Sequence, residues 1–217
     1  MAKGLPDIIP IFPLPGVVFF PRMPLPLHVF EPRYRSMVRA AARGARLIGM
    51  ALLRDEWEQD CHGRPAIFTT GTVGEMVRVE ELPDGRFDIV LRGVREYTVV
   101  RDVEGGRAPY REAAVRWRAP AADALPSGMR AAIAAHVRRY LARMGRELGD
   151  DELLRDGVDD ETFVNFFAQH LDVAPLEKQA LLEARTLAER ARRLVDALDF
   201  RLEEVRLHPG GALPRAH

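Results

Sequence analysis

The 217-residue chain is 47% hydrophobic and 29% charged, a balance that suits a globular protein with room for one large domain or two small ones. Its 32 lysines and arginines are matched by 32 aspartates and glutamates, so no global field steers it to nucleic acid or to an anionic membrane. Cys61 is the only cysteine, which excludes an intrachain disulfide and a thiolate metal cluster built from one chain, and no window approaches the ~20 apolar residues of a spanning helix. Residues 1–10 lack the basic-then-apolar pattern of a leader, so the expected location is cytoplasmic.

Eight prolines crowd the first 32 residues, interleaved with Ile8, Ile9, Ile11, Phe12, Leu14, Val17, Val18, Phe19 and Phe20. Proline fixes φ and lacks a ladder donor, so these apolar runs read as edge or interrupted strands. From Pro32 the period changes. Tyr34, Met37, Val38 and Ala41 fall at helical spacing, which predicts a helix over 32–43 with Gly44 as a left-handed stop.

Residues 46–53 and 67–79 read as strands, the second bent near Gly71 and Gly74. Pro83-Asp84-Gly85 predicts a turn into the alternating Phe87-Asp88-Ile89-Val90-Leu91, a β-hairpin. A second pair of strands, 97–103 and 110–117, flanks Glu104-Gly105-Gly106. The small, proline-bearing stretch 119–127 marks a boundary, and helices are expected over 127–148, 159–171 and 175–207. The pattern is α+β: a mostly antiparallel sheet or small barrel with one helix over 8–118, then a helical domain over 124–207.

Several of these segments together resemble a known family. Ile11-Phe12-Pro13-Leu14 through Phe20-Pro21, followed by Pro26-Leu27-His28-Val29-Phe30-Glu31-Pro32-Arg33-Tyr34, is similar to the opening of the Lon substrate-binding domain. Gly71-Thr72-Val73-Gly74, Leu82-Pro83-Asp84-Gly85-Arg86 and Leu91-Arg92-Gly93 then follow in that family's order, and Lys178-Gln179-Ala180-Leu181-Leu182-Glu183 is similar to its distal helices. The resemblance implies a PUA-like pseudo-barrel followed by a helical bundle, in a stand-alone member without the ATPase and protease parts. It implies a non-enzymatic module that binds unfolded or tagged protein segments, with a protease or chaperone as a further candidate partner. The sequence departs from the family twice. Glu96 stands where arginine is usual, three residues after Gly93, and Ala174 stands where a serine usually caps the last helical part.

No catalytic constellation emerges. A P-loop needs lysine followed by serine or threonine, yet Lys3 precedes Gly4 and Lys178 precedes Gln179. Ser36 and Ser127, the only serines, fall within or at the start of predicted helices, where capping is the plain role. The histidines show no metal-ligand spacing, His28 reads as a packing or hydrogen-bonding residue, and neither metal nor cofactor is expected. The adjacency of Cys61 and His62 reads as chance rather than as an activated thiol.

The candidate binding residues are Arg35, Arg39 and Arg43, stacked at i, i+4 and i+8 on the first helix, and Trp57 within an acidic loop. The arginine face suits a clamp for acidic side chains or a peptide C-terminus; its plainer reading is a solvated face screened by salt. An RNA-binding module is the alternative from another class, disfavoured by the zero net charge, and a small-molecule sensor is a third.

Overall fold

The computed structural model describes residues 4–54, 64–103, 105, 108–120, 124–145 and 157–207. The chain divides into two units, Met1–Pro120 and Ala121–His217. The first contains strands β1 (Ile8–Leu14) and β2 (Pro24–Val29), helix α1 (Pro32–Arg43), and strands β3 (Leu47–Leu52), β4 (Thr70–Glu81), β5 (Phe87–Asp102) and β6 (Arg111–Trp117). Their order is β2-β5-β4-β3-β1-β6, and β6 returns to pair with β5. Strands β5, β4, β3, β1 and β6 therefore form a closed ring, with β2 attached outside it along β5. The sheet is mixed, because β1 and β3 run parallel while the other pairs are antiparallel.

Strand β1 corrects the reading of the proline-rich opening as edge or interrupted strands, since it has neighbours on both sides. Its prolines are tolerated because the two ladders are offset. Residues Ile8 to Ile11 pair with β6 and residues Ile11 to Leu14 with β3. Pro10 and Pro13 thus have a strand on one side only, and the missing N–H can fall on the open side. Strand β2, with Pro24 and Pro26, does lie at an edge.

Helix α1 buries the residues that its period selects, Tyr34, Met37, Val38 and Ala41. Its stop differs from expectation. Gly44 has φ −111°, and the left-handed residue is Arg46 at φ 60°. That conformation costs a non-glycine residue about 1–2 kcal/mol. Arg46 offsets it by donating Nε–H and Nη2–H to Met76 O at 3.1 and 2.7 Å, while its own carbonyl accepts the Met76 N–H at 2.8 Å.

The segments 87–91 and 97–103, expected as separate strands, are one 16-residue strand, β5. Its first half pairs with β2 and its second with β6. Between them the register against β4 slips at Gly74, which pairs with Gly93 while Val73 pairs with Arg95; Val94 is bulged out and exposed. Gly93 lies against the backbone of Phe20 and Pro21, where a Cβ would collide, and it exchanges bonds with Arg22 N–H and Met23 O, both 2.9 Å. Inside the ring, Tyr97 is fully buried among Ile9, Ile11, Ala51, Val73, Ala113 and Val115, and its hydroxyl donates to Met50 O at 2.8 Å. Burial pushes the Tyr97 phenol far up, so the hydroxyl keeps its proton.

The second unit contains α2 (Met129–Arg143), α3 (Asp160–His170), α4 (Pro175–Leu182) and α5 (Leu187–Leu207) around Ile133, Val137, Phe163, Phe167, Leu194 and Leu198. The single helix expected over 175–207 is therefore two. Thr186 Oγ1 accepts the Glu189 N–H at 3.1 Å, Glu189 in turn accepts the Arg185 N–H at 2.8 Å, and a new helix starts. The buried Arg190 folds back, with Nε–H to Leu181 O at 3.0 Å, Nη2–H to Leu182 O at 3.3 Å and Nη1–H to Asn165 Oδ1 at 2.6 Å. Two of these bonds cover carbonyls in the last turn of α4, and the third reaches across to α3. Helix α2 is shorter than the expected 127–148; residues 146–148 lie outside the described residues.

Candidate functional site

Of the residues singled out in sequence, two serve the fold. Arg39 donates Nη2–H to Glu81 Oε1 at 2.6 Å and to Gly85 O at 3.4 Å, and its guanidinium lies 5.0 Å from the Phe87 ring centroid. The Arg35 guanidinium packs against Gly85, which sits at φ 77° in the β4–β5 turn, a conformation that favours glycine. Both arginines thus dock α1 on that hairpin, which relieves the like-charge crowding along the helix face. Arg43 is exposed and does not join them. Trp57, Cys61 and His62 lie outside the described residues. His28, on β2, pairs Nδ1 with Asp88 Oδ1 at 2.7 Å and accepts from Arg86 Nη1 at 3.2 Å through Nε2, a hydrogen-bonding role across the sheet face.

A different set of side chains converges where the β1–β6 ladder stops. That ladder ends at Ile11 and Arg111, but β1 runs on to Leu14. Beside this gap a cleft of about 400 Å³ opens, lined by Pro13 from β1, Arg33 and Tyr34 from the first turn of α1, Arg64 and Pro65, and the run Ala108 to Arg111 leading into β6. Pro13 offers no N–H to draw another strand into the gap.

The side-chain polar groups of the lining are three guanidinium groups and two phenols. Arg111 is fixed by Nε–H and Nη2–H bonds to the two carboxylate oxygens of Asp102, at 2.8 and 2.7 Å, and by Nη1–H to Pro65 O at 2.8 Å. Arg33 donates Nε–H to Glu31 at 2.9 Å, and its guanidinium lies 4.6 Å from the Tyr34 ring centroid. Arg64 donates to Val103 O at 3.2 Å and has no carboxylate partner among the described residues. Neither Glu31 nor Asp102 lines the cleft. Burial raises the Tyr34 phenol, opposed by the charges of Arg33 and Arg111 and reinforced by Glu31; burial also raises that of Tyr110, reinforced by Glu112. Both tyrosines therefore keep their hydroxyl protons at neutral pH.

Arg33 and Tyr34 lie in the segment that carries the family resemblance, and no local pattern joins them to Arg64 and Arg111, which come near only through the closing of β6 on β5. Among the described residues no group of three or more histidine, cysteine, aspartate or glutamate side chains could hold a metal ion, and no helix is long and apolar enough to cross a membrane.

Comparison with known proteins adds the family. The model for the ATP-dependent protease La (LON) substrate-binding domain matches residues 8–199. Lon protease 2 of Myxococcus xanthus is 27% identical over 214 residues, covering 94% of this chain and 25% of its own length. The Lon protease of Paraburkholderia phytofirmans is 30% identical over 218 residues, covering 94% and 26%. The chain thus spans about a quarter of the length of these relatives. Among solved structures, a Lon N-terminal domain protein from Xanthomonas campestris superposes with a TM-score of 0.65 at 25% identity, over 87% of this chain and 97% of that one. The N-terminal domain of the Mycobacterium avium complex Lon protease gives the same TM-score of 0.65 at 18% identity, over 88% and 98%, and bears on the fold alone.

Proposed function

The chain belongs to the ATP-dependent protease La (LON) substrate-binding domain family, and from that membership we propose that it binds unfolded or tagged protein segments without transforming them, as a recognition, adaptor or chaperone-like module. The observation that carries this reading is the family match over residues 8–199, which takes in the sheet unit together with the helices. The cleft supports it, since its apolar walls and fixed donors suit capture rather than chemistry. The proposal includes a protease or chaperone that receives the segment, and a cytoplasmic setting, which the lone Cys61 suits.

The test is a side-by-side titration of the full chain with a denatured model protein and with a structured RNA, each at two salt concentrations. Binding of the denatured protein that persists at the higher salt is the expected result, because apolar burial is not screened. Tight RNA binding that collapses with salt, with no affinity for the denatured protein, would overturn it and move the chain to the RNA-binding class.

A further inference from the structure

We infer that the cleft beside the end of β1 is a carboxylate-binding subsite, which takes the C-terminal carboxylate or an acidic side chain of a bound segment through Arg33, Arg64 and Arg111. This rests on the segment-binding reading and deepens it. Guanidinium has five N–H donors and no acceptor, and a protonated phenol adds one donor more, so the side-chain polar groups of the lining call for an oxyanion.

Charge narrows the choice. Arg33 and Arg111 already have carboxylate partners in Glu31 and Asp102, whereas Arg64 bonds only a carbonyl among the described residues. Among the described residues one guanidinium is thus left without a counter-charge, which matches a monoanion better than a doubly charged phosphate or a polyanionic strand. The partner carboxylates hold the arginine planes in place, which lowers the ordering cost at the moment of binding. The remaining walls, Pro13, Pro65, Ala108 and Pro109, are apolar and stiff, and suit the side chain next to the carboxylate. On the α1 face Arg39 pairs with Glu81, whereas the cations that converge on one cavity are those of the cleft.

Three short unstructured peptides of one otherwise uncharged sequence test this: the free acid, its C-terminal amide, and the amide with one internal glutamate. Each is titrated by fluorescence anisotropy against the full chain, beside the denatured model protein. At least one acid should bind about tenfold tighter than the plain amide, as expected for one charge-assisted bond, and which acid does so identifies the source of the carboxylate. Arg64→Gln should remove most of that preference and Arg64→Lys should keep part of it. Both should melt with the parent, because Arg64 is exposed. Equal binding of all three peptides, a preference that survives Arg64→Gln, or displacement of the free acid by an oligoribonucleotide at lower concentration than by its own unlabelled form would overturn the inference. If the denatured protein still binds in those cases, segment binding stands and only the subsite falls; if nothing binds, both fall.

Discussion

Arg111 meets Asp102 in a two-bond pair, Nε–H to Oδ1 and Nη2–H to Oδ2, across the ladder that closes the ring. The Arg111 side chain is only 12% exposed, so the cost of taking its charge out of water is offset by that partner. The pair also aims the guanidinium into the cleft and ties it to Pro65. One change should therefore disturb stability and the site together. Asp102→Ala is expected to cost about 2–3 kcal/mol, since a half-desolvated cation loses its counter-charge. Urea unfolding should show a lower midpoint at unchanged slope; a midpoint equal to the parent's would mean that the pair does not hold the closure.

Asp84 links the β4–β5 turn to pH. Its Oδ1 accepts the Arg86 N–H at 3.0 Å and its Oδ2 the Arg86 Nε–H at 2.6 Å, which hold the carboxyl below the ordinary aspartate range. A carboxyl with a lowered folded-state value contributes stability that is present above its unfolded value and is lost as pH falls through the folded one. Asp84→Asn should accordingly be less stable than the parent at neutral pH and converge with it in acid. Melting temperatures followed down the acid limb check this, and two parallel curves would exclude Asp84 as the source.

How far these features could be read in advance depends on the range of the interactions involved. Helix α1 was legible because Tyr34, Met37, Val38 and Ala41 repeat on one face and all reach the core. The turn at Pro83-Asp84-Gly85 was legible because its chemistry is local. Strand β5 was not: the bulge at Val94 breaks the alternation, so one strand looked like two. At the α4–α5 corner the Thr186-x-x-Glu189 pattern was present, but the leucines continue on both sides of it, and apolar period outweighed the cap. The cleft was the least legible. It brings Arg33 to Arg111 only because β6 closes on β5 while β1 overruns the ladder, a long-range relation that no local pattern encodes.

Helix α4 starts with half of a reciprocal cap. Glu177 Oε2 accepts the Ala174 N–H at 2.7 Å, but the Ala174 side chain has no oxygen to offer in return. Pro175 already presets the first turn, so the backbone is in place to accept the missing partner. Ala174→Ser should raise stability by about 0.5–2 kcal/mol, by satisfying one orphan N–H. Thermal melting monitored by circular dichroism is the measurement; no rise would show that a side-chain oxygen at this position adds nothing to the helix start.

Glu96, which the resemblance to the family singles out as a departure, has a partner in the fold. Its Oε2 pairs with Arg118 Nη1 at 2.9 Å, its carbonyl accepts the Arg118 N–H at 3.1 Å, and the two side chains are only 13% and 20% exposed. Arg118 follows directly after β6, so the pair clasps the end of that strand to β5. An arginine at 96 would set two cations together in a poorly solvated place. Glu96→Arg is expected to destabilise the sheet unit by about 2–4 kcal/mol, a little under the range for breaking a fully buried pair because both side chains keep some exposure. Arg118→Glu alone should also destabilise, because two carboxylates then face each other. The swap Glu96→Arg with Arg118→Glu restores opposite charges and should recover a large part of the loss, so that the double variant is more stable than the sum of the two single effects allows. Additive losses in that cycle, measured by urea unfolding, would mean that the pair is not what holds this end of β6.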